Sequence, residues 1–190
     1  MRKFLTLLTL CSLSSLTIQA AELEKNEMKE KKSDFYVAAK ALVTLGNTIT
    51  EEEATLDGGV GKGFGIDLGY RIANGFAVEV DATYDTNTVT EEKDGIKEDY
   101  TGTYLTSSFD VVYAHELVEN LELFGKIGYE IEYEKIDTIA DSYESTTGFI
   151  YAAGMEYEVA ESVAVLAEYE VTTIDGPRGN SVFLGMLYNF

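Results

Sequence analysis

The sequence predicts an all-β fold: an eight-stranded antiparallel up-and-down barrel whose apolar surface faces outward. Three observations carry that expectation. From Phe35 onward the apolar residues recur with a period of two and not 3.6. Eight such segments follow one another, each roughly ten residues long, the length of a tilted strand that crosses a bilayer. The connections between them alternate between short and long, as they do when turns lie on one side of a membrane and loops on the other.

The segment before the first strand reads as an address and not as structure. Arg2 and Lys3 precede an apolar stretch from Phe4 to Ile18, and Gln19-Ala20-Ala21 follows. This is the pattern of a secretory signal peptide over residues 1–20, although Ile18 is larger than the small residue usual at that position before a cleavage site. Cys11 would leave with it; its use as a lipoprotein cysteine is disfavoured by the bulky Leu10. Residues 21–33 are almost wholly polar and form a periplasmic leader, and residues 34–190 form the barrel domain.

The first strand, from Phe35 to Leu45, places Phe35, Val37, Ala39, Ala41 and Val43 on one face, and Tyr36, Ala38, Lys40, Leu42 and Thr44 on the other. The second sets Phe64, Ile66, Leu68 and Tyr70 against Gly63, Gly65, Asp67, Gly69 and Arg71, and ends at an Asn74-Gly75 hairpin turn. Phe76 to Asp85 alternates Val78, Val80 and Ala82 with Glu79, Asp81 and Thr83. The split recurs over residues 103–113, with Ser107 a polar exception on the apolar face, and over 121–134, 148–158, 163–172 and 181–190. The short connections are then 72–75, 115–120 and 159–162; the longer, polar ones are 46–59, 86–99, 135–146 and 173–180.

Composition removes several functions. With 14 Lys+Arg against 34 Asp+Glu the chain carries a formal charge of −20, which repels a nucleic acid. Loss of the two signal-peptide cations makes the balance 12 − 34 = −22. One His and one Cys exclude a His/Cys zinc cluster, and no metal site or cofactor is expected. Once the signal is gone, no window approaches the ~20 consecutive apolar residues of a membrane helix, so a membrane-resident form must be a closed barrel.

The same alternation suits a soluble barrel with its apolar face inward, a periplasmic binding module that would wash free without detergent. Three features favour the transmembrane form. Glycines such as Gly65, Gly69, Gly128 and Gly154 fall on the polar face, where a narrow lumen is crowded. Aromatic residues gather at strand ends on the apolar face, which reads as two girdles. Phe35, Tyr70, Phe76, Tyr113, Tyr157 and Tyr188 lie at the short-turn end, and Tyr84, Tyr133, Phe149 and Tyr169 toward the long loops. Third, Gly185, Tyr188 and the terminal Phe190 resemble the C-terminal signal by which outer-membrane barrels are recognised for assembly, with Phe183 where that signal often has a polar residue.

The segments YVAAKALVTLG, GFAVEVDATYD, GFIYAAGMEYE and SVAVLAEYE, together with that terminus, resemble the small outer-membrane barrels of the OmpA-transmembrane/OmpX-like family, also called porin-family β-barrels. The likeness spans residues 34–190. It implies residence in the cell outer membrane, contact with lipid and lipopolysaccharide, and insertion by the barrel-assembly machinery through the C-terminal strand. Members serve variously as envelope anchors, adhesins, serum-resistance factors or narrow pores, so the resemblance does not choose among these.

On this register the lumen holds Asp67, Glu79, Asp81, Asp85, Asp110, Glu122, Glu130, Glu132, Glu134, Glu156, Glu158, Glu168 and Glu170 against only Lys40, Arg71 and Lys126. Lys40 and Lys126 near mid-strand would anchor ion pairs with Asp67, Asp81, Asp110, Glu156 or Glu168, a structural plug. The same list describes a narrow, cation-preferring path. The acidic long loops are candidate surfaces for an extracellular ligand. Catalysis is not expected, because His115, the only imidazole, falls beside a short turn. The expectation is an outer-membrane barrel with a structural or surface-binding, adhesin-like role, with a porin-like channel as the alternative.

Overall fold

The computed structural model describes residues 34–50, 54–137 and 142–190, with backbone only at 142 and 143. The expected signal peptide and leader lie outside these residues. Ten strands and no helix occur among them: β1 (Phe35–Thr44), β2 (Thr48–Thr50), β3 (Thr55–Gly58), β4 (Lys62–Ala73), β5 (Phe76–Lys93), β6 (Ile96–Val118), β7 (Leu121–Ile136), β8 (Ser142–Ala160), β9 (Val163–Thr172) and β10 (Ser181–Asn189).

Eight of these strands close into a ring. All pairings are antiparallel; β1 pairs with both β4 and β10, and the remaining neighbours follow chain order. The β5–β6 pairing closes the circuit, in register from Phe76↔Tyr113 to Lys93↔Ile96. Closure satisfies every strand edge within the ring, which is the condition for a sheet to sit in hydrocarbon. At the end where Asp34 and Phe190 lie, β4 and β5 are joined through Asn74 (φ 55) and Gly75 (φ 84), two consecutive left-handed residues that match the twist of a two-residue hairpin.

The period-two pattern settles which face goes where. In β1, residues 36, 38, 40, 42 and 44 are buried and their neighbours more exposed, and the same alternation runs through β4 to β7. The exposed set is the apolar one: Phe64, Ile66, Leu68, Val80, Leu105, Phe109, Ile127 and Leu184 all face outward. Ser107, the polar exception, turns its hydroxyl back to donate to the Asp81 carbonyl at 3.2 Å. No polar group is then presented bare to an apolar solvent at that position.

The long connections differ from the expectation of plain polar loops. Residues 86–93 and 96–99 continue β5 and β6 as a hairpin well past the ring, turning at Asp94 (φ 53) and Gly95 (φ 78). In the first long connection β2 pairs with β3, and β3 pairs with the extended part of β5. These extensions hold only scattered apolar residues, such as Leu56 and the buried Val89, and so give no sustained alternation to read. Residues 173–180 depart further: they fold inward as a strap over the long-loop mouth.

Candidate functional site: the filled lumen and its strap

Side chains that alternate with the outward set fill the lumen in three tiers. Nearest the short turns is an apolar tier in which Tyr36, Ala38, Ala77, Val112, Phe124, Ala164, Leu166 and Leu187 form one buried cluster. Two glycines make room for its rings. A Cβ on Gly69 would lie 2.0 Å from Cζ of Tyr36, and one on Gly154 would lie 2.3 Å from Cζ of Phe124. This is close backbone approach, the use of glycine in a strand interior that the sequence signalled by placing glycines on the lumen face.

Above it sits a tier of charge. Lys40 Nζ lies 2.9 Å from Asp67 Oδ1, 2.8 Å from Asp81 Oδ2 and 3.8 Å from Glu168 Oε2. Lys126 Nζ lies 2.5 Å from Glu79 Oε2, 3.1 Å from Glu168 Oε2 and 3.5 Å from Asp67 Oδ2. Asp67 and Glu168 are thus shared by both ammonium groups. Tyr36 donates its hydroxyl to Glu79 Oε1 at 2.5 Å, which ties this tier to the apolar one. Lys40 also lies 4.3 Å from the centroid of the Phe183 ring. A Cβ on Gly185 would lie 2.9 Å from Lys40 Cγ, so that glycine accommodates the Lys40 stem. Removing one partner of a buried pair of this kind is costly, because it strands the other.

Two residues expected in this network have other partners. Asp110 accepts a hydrogen bond from Ser108 Oγ at 2.8 Å and has no ion pair with either lysine within 4 Å. Glu156 stands nearer the short turns and faces Arg71 at 3.7 Å. Arg71 in turn donates to Asn189 Oδ1 and lies over the Tyr36 ring at 4.5 Å. Glu156 has Arg71 as its cation, whereas Asp110 stands directly across the β5–β6 ladder from Glu79 and takes its hydrogen bond from Ser108.

The third tier was not legible from alternation, because its cation comes from the strap. Arg178 is 2 % exposed and reaches Asp85 Oδ1 through Nε at 3.1 Å and Glu132 Oε2 through Nη1 at 3.3 Å, with Glu130 Oε2 4.0 Å away. The strap backbone is held as well. Gly46 N donates to the Arg178 carbonyl at 3.1 Å, Asn47 N to the Pro177 carbonyl at 3.2 Å, and Asn87 Nδ2 to that same carbonyl at 3.0 Å. Ile174 is buried, with its Cγ1 2.6 Å from where a Gly148 Cβ would be. The sequence signal was compositional: the chain's only proline, Pro177, stands between Gly176 and Gly179, beside a lone arginine.

The aromatic residues expected as girdles are all exposed on the outer surface. Several meet across strands: Phe35 and Tyr70 with centroids 4.7 Å apart, Phe76 and Tyr113 at 5.0 Å, and Tyr129 and Phe149 at 5.5 Å. Phe64 and Tyr129, paired with Tyr84 and Phe149, extend the set at the long-loop end. Tyr188 and Phe190 stack edge to face at 5.3 Å at the end of β10.

A closed ring that is apolar outside and filled by ion pairs inside defines the class: a small membrane β-barrel. The chain belongs to the outer membrane protein beta-barrel domain family, whose model matches residues 8–190. No curated protein matches the chain at a significant level. Solved structures share the fold. The chain is similar to the outer membrane protein OprG from Pseudomonas aeruginosa, at 12% identity over 86% of this chain and 99% of that one, with a TM-score of 0.67. It is also similar to Neisserial surface protein A, at 21% identity over 85% of this chain and 100% of that one, with a TM-score of 0.58. Ail, the attachment invasion locus protein of Yersinia pestis, solved with the heparin analogue sucrose octasulfate, matches at 19% identity over 83% of this chain and 99% of that one, with a TM-score of 0.55.

Proposed function

We propose that this chain is exported through a cleaved signal peptide, residues 1–20, and serves in the outer membrane as a plugged barrel with a structural or surface-binding role. The observation that supports this reading best is the filled lumen: two stacked ion-pair tiers crossed by the inward strap. Such a barrel is a rigid support, and its extended β5–β6 hairpin is the part placed to meet a ligand. That hairpin carries Glu91, Glu92, Asp94, Glu98 and Asp99 against Lys93 and Lys97, so the partner it fits is basic. Sucrose octasulfate, the ligand in the Ail structure, is of the opposite charge type. The reading includes contact with lipid and lipopolysaccharide around the outer face and recognition of Gly185, Tyr188 and Phe190 by the assembly machinery. It assigns no catalysis; His115 is exposed beside a short turn.

A cation-preferring channel is the second reading. It is favoured by one observation: nine buried carboxylates, Asp67, Glu79, Asp81, Asp85, Asp110, Glu130, Glu132, Glu168 and Glu170, face three buried cations, Lys40, Lys126 and Arg178. Planar-bilayer conductance of the refolded chain in a salt gradient separates the two. The plugged reading expects silence from a sample shown to be folded and inserted. Discrete steps with a cation-selective reversal potential would replace it with the channel.

A further inference from the structure

We propose that the short-turn mouth of the barrel is a binding site for a small organic cation with an apolar body, such as an arylalkylammonium. This goes beyond a structural or adhesive role and holds whether or not the lumen conducts. A cavity of about 340 Å3 opens at this end, its lining running from the rim at Arg71, Glu122 and Glu156 to the floor at Lys126. That volume lies at the low end of the range for small-molecule sites, about 300–1,000 Å3. The barrel is closed beyond it by the Lys40–Lys126 tier, so the cavity is a blind pocket approached from the short-turn side.

The walls determine the body of the ligand. Phe124, Leu166, Leu187 and Val112 line the cavity, all from the buried apolar cluster, and a purely hydrated ion would gain nothing from them. The charges determine its sign. Both cations of the lining are already engaged, Lys126 by Glu79, Glu168 and Asp67, and Arg71 by Glu156 and Asn189. Glu122 has no cation within 4 Å among the described residues, yet it stands directly across the β7–β8 ladder from Glu156. Two carboxylates opposite each other repel, and one half-exposed guanidinium serves the pair. Among the described residues the rim is therefore short of one positive charge immediately above an apolar wall. A metal ion fits less well, because no group of three or more Asp, Glu, His or Cys set to hold one occurs among the described residues.

The test uses the refolded barrel in nanodiscs, with NMR signals of the Phe124 and Tyr36 rings as the readout. Three probes of the same shape are titrated: phenethylammonium, 2-phenylethanol and phenylacetate. The site predicts saturable shifts with the ammonium, affinity about tenfold weaker for the alcohol, and no saturation with the carboxylate. The Glu122→Gln/Glu156→Gln variant is expected to bind the ammonium about tenfold more weakly, and Glu122→Gln alone about threefold more weakly. The single variant keeps the Arg71–Glu156 pair, so it reports on the site should the double variant not fold. Equal affinity for the ammonium and the alcohol, absence of saturation with the ammonium, or undiminished ammonium binding by Glu122→Gln would each overturn the proposal.

Discussion

Arg178 and Asp85 are 93 residues apart in the chain and meet inside the barrel, Nε to Oδ1 at 3.1 Å, with the two side chains 2 % and 0 % exposed. The pair fastens a loop to the wall of β5. Arg178→Ala would leave Asp85, Glu130 and Glu132 buried together without their cation, and losing one partner of a buried pair costs about 3–5 kcal/mol. We expect a marked drop in the unfolding temperature of the variant and faster hydrogen exchange over residues 174–180. Arg178→Lys should recover only part of the loss, since an ammonium cannot fork to Asp85 and Glu132 as the guanidinium does. Arg178→Met/Asp85→Asn, which removes one of the three stranded carboxylates, should be milder than Arg178→Ala. Wild-type exchange rates in the Arg178→Ala strap would show that its backbone hydrogen bonds hold it unaided.

Gly69 and Tyr36 form a second such relationship, in which one residue is small because the other is large. Gly69→Ala places a methyl group within 2.0 Å of the Tyr36 ring, and the ring is fixed by its hydrogen bond to Glu79. Overpacking of this kind costs about 1–3 kcal/mol. Tyr36→Phe tests the other half, removing a hydrogen bond to a charged group worth about 1.5–3 kcal/mol. In urea titrations of the refolded barrel, Gly69→Ala should lose less stability in a Tyr36→Ala background than in wild type. Additive losses would mean that the ring moves aside freely.

These two pairs mark where sequence reading succeeded and where it stopped. Gly69 was placed on the lumen face by alternation alone, because in a strand with one lipid-facing side every second residue is forced inward. The same logic positioned Lys40, Lys126 and their acids, though not their distances, which depend on the tilt of each strand. Arg178 lies in a connection with no period, so nothing local says that it points inward; its burial is decided by the unpaired acids of β5 and β7. The hairpin beyond Thr86 was hidden for the opposite reason. Its residues are nearly all polar whichever way they face, Asn87 beside Val89 on the buried side of β5, and the contrast that reveals a strand disappears.

The middle tier supports a prediction about conduction. Lys126→Gln leaves Glu79 without its ammonium and leaves Asp67 and Glu168 to Lys40 alone. By the same cost of an uncompensated buried charge, about 3–5 kcal/mol, the variant should unfold at a lower temperature. Opening of a wet path past this tier should appear as cation-selective steps in a planar bilayer where the wild type is silent. Neutralising Glu79, Asp81 and Glu168 together should then reduce that cation preference. Unchanged selectivity in the triple variant would place the selective groups elsewhere in the lumen.

The outer hairpin should be separable from the barrel. Within the ring the β5–β6 ladder runs from Phe76↔Tyr113 to Thr86↔Thr103, and it continues without interruption to Lys93↔Ile96. Thr90 and Asp99 are partners on this extension, with the Thr90 hydroxyl donating to Asp99 Oδ1 at 2.7 Å. Replacing Thr90–Asp99 by Asn-Gly joins the next partners, Val89 and Tyr100, which lie four rungs from the Lys93–Ile96 turn pair and so share its hydrogen-bonded geometry, with a two-residue turn of the type that suits the strand twist. The exchange keeps the Gly58↔Val89 pairing to β3 and removes five acids and two lysines: Glu91, Glu92, Asp94, Glu98 and Asp99, with Lys93 and Lys97. Barrel stability should change by less than about 1 kcal/mol, since the removed residues are outside the packed lumen. Capture of a decalysine peptide at low ionic strength should weaken, and the difference from wild type should shrink as salt is raised. Undiminished capture would move the surface-binding role to the other long connections, and a chain that no longer refolds would make the hairpin a structural part of the barrel.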